Sequence, residues 1–132
     1  MTSDEQKQQA IKFLENFNHA DAEVFASLVT DDFRFEIVSG LKEFPPIIGG
    51  REFATKEAET LKRLFPKGLK LQLQTVIGDG PHVIVLGEAD TVAMNGKRYH
   101  QRYAFYLRFE GERIAEGREY NDTNLVREVF IG

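Results

Sequence analysis

The sequence contains no cysteine, no long apolar run and no cluster of basic residues. The lack of cysteine excludes disulfides, thiolate metal sites and a cysteine nucleophile. No segment approaches the roughly 20 apolar residues that a membrane-spanning helix requires, and the polar N-terminal stretch lacks the apolar core of a signal peptide. A formal net charge of −4 without a basic run makes nucleic acid and anionic membrane surfaces poor partners. These absences favour a cytoplasmic protein.

Motifs of metal and nucleotide chemistry are also missing. His19, His82 and His100 are scattered without the spacing of metal ligands. There is no glycine-rich phosphate loop, no dinucleotide-binding fingerprint and no serine–histidine–acid arrangement. We therefore expect a protein that uses neither a metal nor a cofactor.

What the sequence does contain is a high proportion of apolar and aromatic residues. Its 132 residues are 42% hydrophobic and include 11 phenylalanines and 4 tyrosines. The length suits one domain, and this composition is sufficient for one sizeable core. No repeat, linker or low-complexity segment divides the chain. We expect a single domain over residues 1–132.

The most regular pattern lies between Gly96 and Thr123. Strict alternation from Arg98 predicts a strand with one packed and one wetter face, and a turn at residues 110–112 predicts that a second strand completes a long hairpin. Polar residues fall among the aromatic ones on the packed face, which favours a lined cavity. That face is predicted to carry Tyr99, Gln101, Tyr103, Phe105, Leu107 and Phe109, and the outer face Arg98, His100, Arg102, Tyr106 and Arg108.

The remaining periodicities complete the fold prediction. Helical spacing predicts three helices, over residues 3–18, 21–30 and 51–65, the first beginning with a capping box of Ser3 and Gln6. Alternation predicts further strands over residues 33–38, 69–77 and 82–92, and residues 39–50 form a loop. An apolar tail ends the chain. The order indicates an α+β fold, with three N-terminal helices packed on a strongly curved, mostly antiparallel sheet that forms a conical cavity.

Two stretches carry a family resemblance: GKRYHQRYAFYLRF…GERIAEGREYNDT, and FLENFNHADAEVFASLVTDDFRFE nearer the N-terminus. Together they resemble the SnoaL-like polyketide cyclases of the ketosteroid-isomerase-like, nuclear-transport-factor-2-like superfamily, and the similarity extends over nearly the whole chain. This superfamily includes isomerases, cyclases, dehydratases, epoxide hydrolases and binding proteins. The resemblance therefore implies the fold but leaves the function open.

The resemblance also identifies candidate site residues. At the positions of the catalytic groups of ketosteroid isomerases this chain has Phe13, Ile37 and Phe105, so that activity is not expected. Comparison with limonene-epoxide hydrolases implies carboxylates at Glu119 and Asp90, with Glu88 at the position of an arginine.

The last-strand carboxylate of the SnoaL-like cyclases corresponds to Glu119 or to Asp122. Alternation allows only one of these two residues to face the cavity unless the strand bulges, and the resemblance favours Glu119, with Asn121 also inward.

These residues lead to two functional hypotheses. The first is a cofactor-independent isomerase, cyclase or hydrolase that acts on a small apolar or cyclic molecule. In it Glu119 serves as acid or base, assisted by Asp90 or Glu88. The second is a non-catalytic member of the same fold that binds a hydrophobic ligand or a protein. The side chains expected to contact the substrate are Phe13, Phe17, Phe35, Ile37, Tyr99, Gln101, Tyr103 and Asn121.

Each site residue also has a purely structural interpretation. Glu119 could form a salt bridge, Glu88 and Asp90 could lie where their strand emerges into solvent, and the aromatic residues could be core. The outer sheet face combines arginines with tyrosines, which suits an interface. Because relatives pair through this convex face, we expect a homodimer, with a solvated charge ladder as the alternative.

Overall fold

The computed structural model describes all residues, 1–132, as four α-helices and six strands. A single 3-10 turn, Asn16–Asn18, follows the first helix. The helices are α1 (Ser3–Glu15), α2 (Ala22–Leu28), α3 (Gly50–Leu64) and α4 (Thr123–Phe130). The strands are β1 (Val29–Ile37), β2 (Ile47–Ile48), β3 (Leu71–Asp79), β4 (His82–Val92), β5 (Arg98–Glu110) and β6 (Arg113–Tyr120).

The strands form one open, curved sheet in the order β2-β1-β6-β5-β4-β3. Strands β3 to β6 form the predicted antiparallel meander, and β1 adds to β6 in parallel. The register shifts once between β3 and β4 and once between β5 and β6, which marks an extra residue in β3 at Gln74 and in β6 at Ala115; such bulges increase the local bend of a sheet. The α+β fold class and the mostly antiparallel sheet are therefore confirmed. None of the helices combines the length and the apolarity required to cross a membrane.

The helix count differs from the prediction at the C-terminus. The apolar tail is the amphipathic helix α4, which begins after Asp122. The Asp122 carboxylate accepts hydrogen bonds from the backbone N–H groups of Asn124 at 3.1 Å and Leu125 at 3.3 Å. Asp122 thus acts as a helix N-cap, a role that its short side chain favours.

The cap of α1 lies one residue earlier than predicted. Thr2 and Glu5 form the capping box: the Thr2 hydroxyl accepts from the Glu5 N–H, and the Glu5 carboxylate accepts from the Thr2 N–H, both at 3.1 Å. Thr-x-x-Glu satisfies the same pattern as Ser-x-x-Gln, and the two possibilities overlap in this sequence.

Phenylalanines form the centre of the core between the helices and the sheet. The rings of Phe13, Phe25, Phe33 and Phe53 pack with centroids between 4.9 and 6.0 Å apart, mostly edge to face. Each of these four residues is fully buried. Such aromatic packing fixes α1, α2 and α3 relative to β1.

Gly50 allows the start of α3 to lie close to Val29 and to the backbone of Thr30, at the start of β1. A Cβ atom at this position would lie 2.4 Å from the carbonyl oxygen of Thr30 and 3.1 Å from the Val29 side chain. A backbone oxygen cannot move aside as a flexible side chain would, so any larger residue displaces the start of α3. Gly50 therefore fixes where the later residues of α3 meet the sheet.

We predict that Gly50→Ala lowers the free energy of unfolding by about 1–3 kcal/mol, because it forces a steric contact with Thr30. Urea unfolding followed by circular dichroism measures the change. Gly78→Ala is the control, since its added Cβ comes within 3.2 Å of the flexible Lys7 side chain and lies at an ordinary contact distance of 3.7 Å from the nearest backbone oxygen, that of His82. Equal stability of the two variants would contradict the role of Gly50.

Candidate functional site

A pocket of about 320 Å³ opens between α3, α4, the inner sheet face and the segment 43–47. Thirteen of its 21 lining residues are hydrophobic, so it favours a largely apolar guest. The apolar part of the wall is formed by Phe17, Phe35, Ile37, Phe44, Pro45, Pro46, Ile47, Leu61, Leu64, Phe65, Leu69, Val126 and Phe130.

Two buried carboxyl groups, of Glu57 and Glu119, face this pocket. Each residue is only 7% exposed, and neither forms an ion pair. Burial, reinforced by the negative charge of Glu119, raises the pKa of Glu57 to about 8. Burial likewise raises the pKa of Glu119 to about 7, opposed by a hydrogen bond from Asn121. The pair therefore holds about one proton between them near neutral pH.

Hydrogen-bonding groups surround Glu119. The Asn121 amide Nδ2 donates to Glu119 Oε2 at 2.8 Å, while the buried Asn121 Oδ1 accepts no hydrogen bond. The hydroxyl oxygens of Tyr99 and Tyr103 lie 2.7 Å apart, and burial raises the pKa of both phenols. One of the two hydroxyl groups donates its hydrogen to the oxygen of the other. The hydroxyl hydrogen of the accepting tyrosine is therefore free to be donated to a ligand.

The local sequence explains why Glu119 points inward. In β6, Gly117 and Glu119 lie on the packed side, and Arg118 lies on the outer side. Glu119 is paired in register with Phe105 of β5 and with Ile37 of β1, both on the cavity side. The chain then leaves the sheet, and Asp122 caps α4 instead of entering the pocket.

Most of the predicted site residues meet in this pocket. Its lining includes Glu119 together with Phe17, Phe35, Ile37, Tyr99, Tyr103 and Asn121. Two of the predicted substrate contacts lie elsewhere. Phe13 is fully buried among other phenylalanine rings, because its helical position points to the centre of the core.

Gln101 is the second predicted substrate contact that lies outside the pocket lining. Its side chain does point inward and is buried, but it is not part of the pocket wall. Its amide donates to the Asp122 carbonyl at 3.0 Å and accepts from the Asp122 N–H at 2.9 Å. Gln101 therefore ties the end of β6 to the start of α4, and its polar groups are satisfied by backbone.

The predicted orientation of Glu88 and Asp90 is wrong. Both lie on the outer sheet face, where Glu88 Oε2 is 2.6 Å from His100 Nε2 and Asp90 Oδ2 is 2.7 Å from an Arg98 guanidinium nitrogen. These hydrogen bonds lower the pKa of both carboxyls. The opposite face of β4, with Val83, Val85, Ala89 and Thr91, is the buried one. Both faces of β4 are partly apolar, so alternation alone assigned the wrong side.

Glu57 was missed, although its helix contains a signal. Phe53 and Leu61 lie four residues before and after it, and all three share one face of α3. An acidic residue inside an apolar stripe must be buried or displace its helix. Assigning each residue of α3 to a face of the helix, at about 3.6 residues per turn, would therefore have identified Glu57 as a buried carboxyl.

No cluster of three or more histidine, aspartate or glutamate side chains that could hold a metal ion occurs in the chain. The pocket instead offers a pair of carboxyls that share a proton, two phenols and an apolar wall. Such a set can accept and donate protons in a largely apolar site.

The fold recurs among solved structures of low sequence identity. An LEH-like epoxide hydrolase from M. tuberculosis is 21% identical over 98% of this chain and 92% of its own, with a TM-score of 0.79. An NTF2-like protein from Burkholderia pseudomallei is 19% identical over 100% of both chains, with a TM-score of 0.83. A de novo designed protein with a curved β-sheet is 17% identical over 98% of this chain and 94% of its own, with a TM-score of 0.74. These similarities concern the fold alone.

The sequence itself matches no curated protein significantly. It does match the family model of the SnoaL-like domain over residues 10–117, which spans α1 to most of β6 and includes Glu57. The match covers well over half of the chain, and the α+β fold with its curved sheet agrees with it. The protein therefore belongs to the SnoaL-like family.

Proposed function

We propose that this SnoaL-like protein is an enzyme that transfers a proton on a small, largely apolar substrate, with Glu119 as general base and Glu57 as general acid. The observation that carries the proposal is the pair of buried carboxyls facing one apolar pocket without a cation. Burying two carboxyls without a cation costs folding free energy at neutral pH, so their presence favours a chemical role. An epoxide hydrolase among the similar structures supports an enzyme of this kind.

The roles of the two carboxyls follow from their surroundings. Glu119 accepts a hydrogen bond from Asn121, which favours the ionised form, whereas Glu57 has no donor and the higher pKa. Glu119 removes a proton from a carbon acid or from a water molecule. Glu57 gives its proton to the substrate oxygen that gains electron density, so the net charge of the site is unchanged.

Tyr99 and Tyr103 add a hydrogen-bond donor at the same wall. Their raised pKa keeps both phenols protonated, so the free hydroxyl hydrogen can stabilise negative charge that develops on the substrate. Enolisation of a ketone and opening of an epoxide both require this combination of a base, an acid and a donor to oxygen.

We predict that Glu119→Gln reduces turnover at least about 100-fold, because glutamine has the same shape but cannot accept the proton. The assay incubates the protein in D₂O with a panel of cyclic ketones, β-diketones and epoxides. Deuterium incorporation is followed by NMR and diol formation by mass spectrometry.

Glu88→Gln is the control for this experiment, since it removes a carboxylate of the outer face that is remote from the pocket. It should leave turnover unchanged. A substrate that Glu119→Gln converts as fast as the unsubstituted protein would refute the mechanism, and binding without any turnover would favour a non-catalytic ligand-binding protein.

Stability should also reveal the buried pair. The raised pKa of both carboxyls means that the folded state binds more protons than the unfolded state, in which these groups titrate near 4.5. Their contribution is therefore fully present below about pH 4.5 and is lost as the pH rises through about 7 to 8.

We predict that the melting temperature of the unsubstituted protein falls, relative to that of Glu57→Gln/Glu119→Gln, by about 5 °C or more between pH 5.5 and 8.5. Differential scanning calorimetry of both proteins gives the comparison. If the melting temperatures of the two proteins change equally with pH, the two carboxyls are not buried as described.

We also propose that two copies of the chain pair through the outer sheet face. Ile84, Leu86 and Val92 are 38–41% exposed there, among the arginine and tyrosine side chains of β5 and β6. An apolar strip with a charged surround is typical of a subunit interface.

Light scattering after size-exclusion chromatography should give twice the mass of the 15.1 kDa chain. We predict that Ile84→Glu/Leu86→Glu yields monomers, because it buries two unpaired charges in the interface. Met94→Glu, in the exposed β4–β5 turn, is the control and should remain dimeric. A monomeric unsubstituted protein would refute the pairing.

A further inference from the structure

We propose that the pocket binds ligands whose buried polar end is a protonated amine, in preference to neutral alcohols and carboxylates of the same shape. This binding goes beyond the proposed function, because an ammonium group that displaces the shared proton occupies the site as an inhibitor and not as a substrate. The preference itself is a property of binding, and it follows from the charges and the aromatic groups of the pocket wall.

The interior of the pocket carries negative charge alone. Four charged side chains line it: Glu57 and Glu119 inside, and Glu43 and Lys56 at the exposed margin. The Lys56 side chain is 59% exposed, and its Nζ lies 2.9 Å from Glu52 Oε1 outside the pocket. No cation is therefore available to a carboxylate that enters, and such a ligand would add a third acid to the buried pair.

A protonated amine meets the opposite situation. The Glu119 carboxylate accepts one hydrogen bond, from Asn121, and its negative charge acts on the Glu57 carboxyl. An ammonium group brings donors and a positive charge to both, and charge-assisted hydrogen bonds of this kind are stronger than neutral ones. A buried carboxylate without a cation is thereby given the partner that the chain itself does not supply.

The rest of the wall is also suited to a cation. Five phenylalanines and two tyrosines line the same pocket as the two carboxyls. Aromatic faces attract ammonium ions, and the attraction increases where water is excluded. The same rings bind the apolar body of the ligand, so that charge and apolar contacts act together.

Proton linkage provides a second expectation. At pH 7.5 two groups with pKa values of about 8 and about 7 hold about one proton in total. A bound ammonium ion favours the ionised forms and displaces this proton. The other titratable side chains around the pocket are Glu43, Lys56, Tyr99 and Tyr103; the two phenols stay protonated at this pH, and the remaining two lie at the exposed margin.

Isothermal titration calorimetry at pH 7.5 tests the proposal with three probes: 1-naphthylmethylamine, 1-naphthalenemethanol and 1-naphthoate. We expect the amine to bind at least about tenfold more tightly than the alcohol, and the carboxylate to bind most weakly. Titrations in buffers of different ionisation enthalpy should show that the amine releases up to about one proton per site. The alcohol should release none.

Glu57→Gln/Glu119→Gln is the decisive variant, because it removes both charges and keeps the shape of the wall. It should bind the amine and the alcohol with similar affinity and without proton release, and a thermal melt verifies that it folds. Glu88→Gln, on the outer sheet face and outside the pocket, should keep the preference for the amine. Equal affinities in the unsubstituted protein, no binding of the amine, or a preference that survives the double substitution would each overturn the proposal.

The outcomes also separate this proposal from the proposed function. A protein that prefers the amine but converts no substrate would refute the catalytic role of Glu119 and leave the charge selection intact. A protein that loses turnover in Glu119→Gln but shows no preference for the amine would do the reverse.

Discussion

Two carboxyl groups that share one apolar pocket impose the constraint on which the rest of the site depends. Glu57 comes from a helix and Glu119 from the last strand, and both are buried without a cation. Two ionised groups in such a place repel, so at least one keeps a proton at neutral pH. The fold sustains this arrangement through the phenylalanine core that fixes α3 against the sheet and through the close approach allowed by Gly50.

The pKa values of carboxyl groups are shifted in opposite directions on the two faces of the sheet. On the outer face Glu88, Asp90 and Glu116 are paired with His100, Arg98 and two further arginines, and their pKa values are lowered. On the inner face Glu119 has only an amide as partner, and its pKa is raised. Lowered values indicate structural pairs, which are stable as ions at neutral pH. The raised pKa values of the inner carboxyls allow them to exchange protons near neutral pH, and this distinguishes them from the paired carboxylates of the outer face.

The sequence alone was sufficient to predict the fold class and to assign the inner and outer faces of β5, the strand whose two faces differ clearly in polarity. In β5, arginines alternate with aromatic residues, so Tyr99 and Tyr103 were assigned to the inner face correctly. In β4, apolar residues occupy both faces, and the correct assignment depends on register with β5, where Glu88 lies opposite Arg102. Register is a tertiary property that neither strand encodes alone. The pairing of Glu57 with Glu119 is likewise tertiary, because 62 residues separate them in the sequence.

Asn121 makes the two carboxyls unequal, and this inequality sets a direction for proton transfer. Its amide donates to Glu119 and so favours the ionised form of that group, while Glu57 receives no such donor. The shared proton consequently resides mainly on Glu57, on the α3 side of the pocket. Under the proposed mechanism a substrate reacts only if its acidic hydrogen points to β6 and its electron-accepting oxygen points to α3. In that mechanism a single amide group constrains the orientation of the substrate, even though most of the pocket wall is apolar and without direction.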